Sequence, residues 1–94
     1  MRVLGRDKLI LFSRKHANVK GALDAWFKEA NEAEWHTPQD IKARYASADF
    51  LADNRVIFDI KGNHYRLVVK VIYTNGIVAI EWVGTHAEYD KKDF

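Results

Sequence analysis

The chain has 94 residues, 48% of them hydrophobic and 13% aromatic, with a formal net charge of +2 and no cysteine. These values predict one domain over residues 1–94 with a modest core, and they exclude disorder, disulfides and thiolate metal sites. No apolar run approaches the roughly 20 residues that span a bilayer, and the N-terminus lacks the apolar stretch of a signal peptide, so a soluble, cytoplasmic protein without membrane contact is expected.

Met1 to Leu4 is a candidate short strand. Leu9, Phe12, His16, Val19, Leu23, Trp26, Ala30 and Ala33 then recur at alternating spacings of three and four, the signature of one helix face. Two helices are expected here, broken near Ala17-Asn18, with Asn18 as the N-cap of the second and Gly21 arguing against one continuous rod. Trp35 is expected to close this hairpin. Thr37-Pro38-Gln39-Asp40 reads as a further helix start, with Thr37 capping, Pro38 in the first turn and Asp40 at the positive end of the helix dipole. Asp53-Asn54 reads as a turn.

Three strands follow. Val56, Phe58 and Ile60 share a face of the first, and Lys61-Gly62-Asn63 turns the chain. In the second strand Tyr65, Leu67, Val69, Val71 and Tyr73 lie on one face, while His64, Arg66, Val68, Lys70 and Ile72 lie on the other. Thr74-Asn75-Gly76 predicts a hairpin turn in which Asn and Gly supply two positive φ angles. The third strand is placed at Ile77 to Val83. A short helix is expected from His86 to Asp90, capped by Thr85 with Glu88 completing the capping box. The order predicts an α+β fold, with helices on one face of a small twisted antiparallel sheet and a short C-terminal helix.

The charge is too weak and too evenly spread to signal nucleic-acid binding by itself: nine basic and seven acidic residues up to Phe50, then six of each. A basic patch must therefore come from segregation on folding. Arg66 and Lys70, four residues apart on one side of a strand, are candidates for a phosphate site, because the arginine fork matches phosphate oxygens. Asp59 and Arg55 fall on the same side of the neighbouring strand, so cross-strand ion pairing on a solvated face fits the same pattern. His86 and Tyr89 share a helix face three residues apart, with Lys91 and Lys92 beside them. His is the side chain best suited to proton transfer near neutral pH. Taken alone, the pair reads more simply as a surface His on a C-terminal helix. His16 reads as a packed residue, His36 as part of a turn and His64 as a strand edge. The histidines show no metal-ligand spacing, no glycine loop cradles a phosphate, and no cofactor is expected. Trp26, Trp35 and Trp82 read as core or interface residues. An anionic ligand, RNA above all, is the partner this pattern suggests.

Val56-Ile57-Phe58-Asp59-Ile60-Lys61-Gly62-Asn63-His64-Tyr65-Arg66-Leu67-Val68, followed by Val83-Gly84-Thr85-His86-Ala87-Glu88-Tyr89-Asp90-Lys91, resembles the HigB family of bacterial type II toxins. Gly-Asn-x-Tyr-Arg and Thr-His-x-Glu-Tyr-Asp carry the resemblance, which extends upstream in spacing over Leu23 to Trp26 and Trp35 to Phe50. The resemblance implies a RelE-like fold and a ribosome-dependent mRNA endonuclease, restrained by a HigA-type antitoxin protein with a helix-turn-helix domain. It places function at Asn63, Arg66, His86, Tyr89 and Lys91. The expected mechanism is metal-independent attack by the RNA 2′-hydroxyl. Arg66, with Lys70, would stabilise phosphoryl charge, His86 would transfer a proton and Tyr89 would orient RNA, with Asn63, Lys70, Lys91 and Lys92 in RNA contact. Asn63 fits a turn equally well. A non-catalytic module that blocks the ribosome or another protein is the alternative, since a scaffold does not dictate chemistry.

Overall fold

The computed structural model describes residues 1–94. In chain order the elements are β1 (Arg2–Leu4), α1 (Arg6–Lys15), a 3₁₀ turn (Ala17–Val19), α2 (Lys20–Glu32), α3 (Pro38–Arg44), β2 (Asp49–Leu51), β3 (Arg55–Ile60), β4 (Tyr65–Ile72), a second 3₁₀ turn (Tyr73–Asn75), β5 (Ile77–Thr85) and α4 (His86–Asp90). No helix is long and apolar enough to cross a membrane.

The apolar stripe does break where its sequence predicts, but Asn18 does not cap α2. Val19 holds that position without a side-chain cap, and the Asn18 amide instead donates to the Tyr65 hydroxyl at 3.1 Å. The tertiary partner outcompetes the local one, and it ties the α1–α2 junction to β4. His16 stacks on Phe12 at 4.4 Å and meets Tyr65 edge-on at 5.9 Å, so it packs as expected. At α3 the Thr37 hydroxyl accepts from the Asp40 amide at 3.4 Å. Asp40 accepts in return from the amides of His36 and Thr37, bonds that hold its carboxyl below the ordinary range.

The five strands are ordered β1-β5-β4-β3-β2. β1 runs parallel to β5 and the other pairs are antiparallel, so the sheet is mixed rather than purely antiparallel. β2 is an edge strand of three residues, too short to show a period, and the sequence pattern did not announce it. It joins β3 through Asp53 and Asn54, both at positive φ (61° and 59°), the geometry of a tight hairpin turn. Two successive positive φ values recur at Lys61 and Gly62, between β3 and β4. They do not occur at Asn75-Gly76. There the chain makes a 3₁₀ turn, and Gly76 alone is left-handed, at φ 66°. The hairpin expected here does form, joining antiparallel β4 and β5, but without the two positive φ angles expected of its turn.

One face of the sheet carries Val56, Phe58, Ile60, Tyr65, Leu67, Val69, Val71, Val78 and Ile80, packed against Leu9, Leu23, Trp26, Ala30 and Ile41 from the three N-terminal helices and against Val19 and Trp35 from the segments that join them. Burying these side chains drives the fold, at roughly 1.5–3 kcal/mol for each large one. Phe58 is the hub, edge-on to Trp26 at 5.4 Å and stacked on Trp35 at 6.1 Å. Trp26 and Trp35 are core residues, as expected.

Trp82 is not. The pairing of β4 with β5 passes from Val68–Trp82 to Val69–Ile80, which leaves Glu81 as an extra residue in a β-bulge. The bulge reverses the alternation. Ile80 therefore faces the core while Trp82 comes out on the opposite face, beside Val68. On that second face Ile57 and Val68 are also buried, at 2% and 0% exposure. The second face is therefore not simply solvated. It has an apolar row, Ile57–Val68–Trp82, flanked by charged positions.

Candidate active site

The site forms where β4 begins and β5 ends. β5 runs two residues further than its apolar pattern predicts and passes directly into α4. Thr85 caps that helix: its hydroxyl accepts from the Glu88 amide at 3.1 Å, while Glu88 accepts from the Thr85 amide at 2.8 Å. This bond is the main reason the Glu88 carboxyl lies below its usual range, so Glu88 serves as a cap. The His86 amide donates to the His64 carbonyl at 2.9 Å, pinning the first residue of α4 to the loop before β4.

Arg66 stands opposite Asp59 on β3 and opposite Gly84 on β5. A side chain at Gly84 would collide with the Trp82 ring, 2.3 Å from the position of a Cβ. Glycine thus lets the indole lie across the strand. One guanidinium nitrogen, Nη1, is 3.1 Å from the Asp59 carboxylate and donates to the Asn63 carbonyl at 2.9 Å. The other, Nη2, contacts His86 Nδ1 at 2.7 Å. A guanidinium only donates, so Nδ1 is the acceptor in this contact, while the Asn63 carbonyl, which only accepts, lies 3.3 Å from the same nitrogen. Nε2 faces the Asp90 carboxylate at 3.2 Å.

The cross-strand ion-pairing reading of Arg66 is what the geometry shows. The side chain is only 13% exposed. Arg66 is also the residue that joins the two sequence motifs. Tyr89 lies with its ring centre 6.0 Å from the Arg66 Cζ and stacks on Phe94 at 5.6 Å, with Trp82 tilted alongside at 6.2 Å. Lys92 reaches the Trp82 ring at 5.7 Å.

The structure thus brings Arg66, His86 and Tyr89 together with the backbone of Asn63. The contribution of Asn63 is its carbonyl, while its side chain is exposed and makes no hydrogen bond. Lys91 is exposed at the end of α4. Lys70 stands apart, roughly 13 Å along the strand from Arg66 at about 3.3 Å per residue, and pairs with Arg55 instead. Asp90 was passed over in the sequence, although its place four residues after His86 on a helix is a readable signal. The role of Gly84 left none, because it depends on where the Trp82 ring falls. His, Asp and Glu side chains do not converge in threes anywhere in the molecule.

Comparison with known proteins gives two matches. The family described as HigB toxin, RelE-like toxic component of a toxin-antitoxin system, matches residues 19–92. The chain is also similar to the mRNA interferase HigB of Escherichia coli O6:H1 strain CFT073, at 25% identity over 93 residues, covering 97% of this chain and 90% of that protein.

Proposed function

Because the chain belongs to the HigB toxin family, the RelE-like toxic components of toxin–antitoxin systems, we propose that it is a ribosome-dependent mRNA endonuclease that inhibits translation. The observation that carries this reading is the Arg66–His86 contact of 2.7 Å, which joins a fixed cation to a group capable of proton transfer. The name of the Escherichia coli relative, an mRNA interferase, points to the same chemistry.

In the proposed reaction the RNA 2′-hydroxyl attacks the adjacent phosphorus. A bond forms between O2′ and phosphorus, and the bond to O5′ breaks. Arg66 stabilises the negative charge that accumulates on the phosphoryl oxygens, an effect that commonly supplies the largest share of such catalysis. The His86 imidazole takes the 2′-hydroxyl proton, and the departing 5′-oxygen takes a proton from solvent. The products are a 2′,3′-cyclic phosphate, or the 3′-phosphate from its hydrolysis, and a 5′-hydroxyl. Asp90 orients the imidazole until RNA takes its place. Tyr89 and Trp82 offer aromatic faces for a base, and Asn63, Lys70, Lys91 and Lys92 contact the RNA. The RNA supplies its own nucleophile, so the chemistry runs without a metal or a cofactor.

The partner is an antitoxin, of HigA type with a helix-turn-helix domain, and the site of action is the cytoplasm. One observation favours a second reading, a non-catalytic module that blocks the ribosome. Asp59 already neutralises Arg66, and both His86 nitrogens are engaged. Primer extension on mRNA from translating ribosomes separates the two. New 5′ ends mean an enzyme, and arrest without cuts means a blocker.

A further inference from the structure

The second face of the sheet carries another feature, away from His86. Arg55 on β3 and Lys70 on β4 are direct cross-strand partners, with Cα atoms roughly 5 Å apart. Like charges placed directly opposite destabilise a sheet. A protein usually offsets this with a carboxylate, and here none is in place. The row across the sheet reads Leu51, Arg55, Lys70, Ala79, without an acid. Two acids at paired positions share the face, and the bulged Glu81 beside them makes no ion pair. Asp59 is committed to Arg66, and Asp49 stands one row away opposite Ile57. The four ion pairs of the molecule involve neither Arg55 nor Lys70. Arg55 donates only from Nε, to the Ala52 carbonyl at 3.4 Å, and Lys70 makes no hydrogen bond. Both side chains are half-buried. Partial burial weakens solvent screening and strengthens their pull on an anion.

We infer that Arg55 and Lys70 form a second phosphate site, holding a backbone phosphate other than the one that is cut. This inference rests on the RNA reading above. Arg66 cannot share its phosphate with this pair, because its guanidinium is anchored in the opposite direction, to the Asn63 carbonyl and His86. The two sites lie on the same sheet face, roughly 13 Å apart along β4. A single strand lying along β4 touches both. Arg55 and Lys70 hold the strand in place and take no part in bond making.

The division of labour is testable by steady-state cleavage of ribosome-bound mRNA. Arg55→Gln combined with Lys70→Gln raises KM by roughly 10- to 100-fold, the scale of lost charged hydrogen bonds, with kcat within about two-fold. The exchange Arg55→Lys with Lys70→Arg keeps both charges and stays near the original KM. An unchanged KM in the folded glutamine variant overturns the inference, as does a fall in kcat alone. A second measurement does not depend on cleavage. An NMR titration uses a single-stranded RNA hexanucleotide with 2′-deoxyriboses throughout, which resists 2′-hydroxyl attack. Shifts at Arg55 and Lys70 that vanish in the glutamine variant support the site. Shifts confined to α4 overturn it and leave the RNA reading standing. Intact mRNA on ribosomes together with no shifts anywhere defeats both.

Discussion

Arg66 and His86 lie twenty residues apart in the chain and share one short contact, Nη2 to Nδ1 at 2.7 Å, that fixes where the imidazole lies. The arginine acts twice in the proposed reaction, as a cation for the phosphate and as the group that positions the imidazole. It is held for both tasks by Asp59 and the Asn63 carbonyl.

Arg66→Ala should abolish growth inhibition in a protein that remains folded. Losing one cation that stabilises the transition state costs on the order of 100- to 1000-fold in rate. Cleavage of ribosome-bound mRNA, with circular dichroism as the fold control, measures it. A folded variant that cuts at full rate removes Arg66 from the mechanism.

His86→Gln should slow cleavage by roughly 100- to 10,000-fold if the imidazole transfers a proton. A much smaller effect would reduce His86 to a hydrogen bond with RNA. Two companion experiments define the chemistry. Cutting should persist in EDTA under conditions that preserve ribosomes, and a 2′-deoxy substitution at the cut site should block it. Normal cleavage of that deoxy target would exclude 2′-hydroxyl attack.

Gly84→Ala should destabilise the protein by about 1–3 kcal/mol, the usual cost of forcing an extra group into packed space. The added methyl would lie 2.3 Å from the Trp82 ring, so the indole must move. A lowered melting temperature and a changed tryptophan emission are the expected readouts. An unaltered melting temperature would mean that the ring does not lie where the structure places it.

Thr85→Ala should remove the cap of α4, at about 0.5–2 kcal/mol, and loosen His86 with it. The reciprocal half of the box is pH-dependent. The Thr85 amide holds the folded-state pKa of Glu88 below its ordinary value, so the unfolded chain binds the proton more readily. The stabilisation is fully present at neutral pH and is lost as pH falls through the folded-state value, below the usual carboxylate range. Following the Thr85 and Glu88 amides by NMR during acidification tests this. A cap that stays intact in strong acid would contradict the carboxylate's role.

Co-expression with the product of the adjacent gene should suppress toxicity, and the two proteins should co-purify. Persistent toxicity with no co-elution would count against a HigA-type partner.

Much of this fold is legible along the chain because its determinants are local. The helix break near Ala17, the capping boxes at Thr37 and Thr85, and the core face of β4 each depend on residues within about one turn or a strand's alternation. The motif pair around Arg66 and His86 also marked the neighbourhood of the site. Other features were settled only when distant segments met. Asn18 left its local cap for the Tyr65 hydroxyl. β1 found a parallel partner in β5, and the three-residue β2 gained strand geometry only by pairing with β3. The bulge at Glu81 placed Trp82 on the site face, against the alternation expected from Ile80. The sequence by itself determined the helices and the longer strands and marked the candidates for chemistry, since periodicity and capping act over a few residues. Tertiary structure decided which cations are neutralised and which are free. Asp59 meets Arg66, and Arg55 meets only Lys70, because strand register is set by burial across the whole sheet.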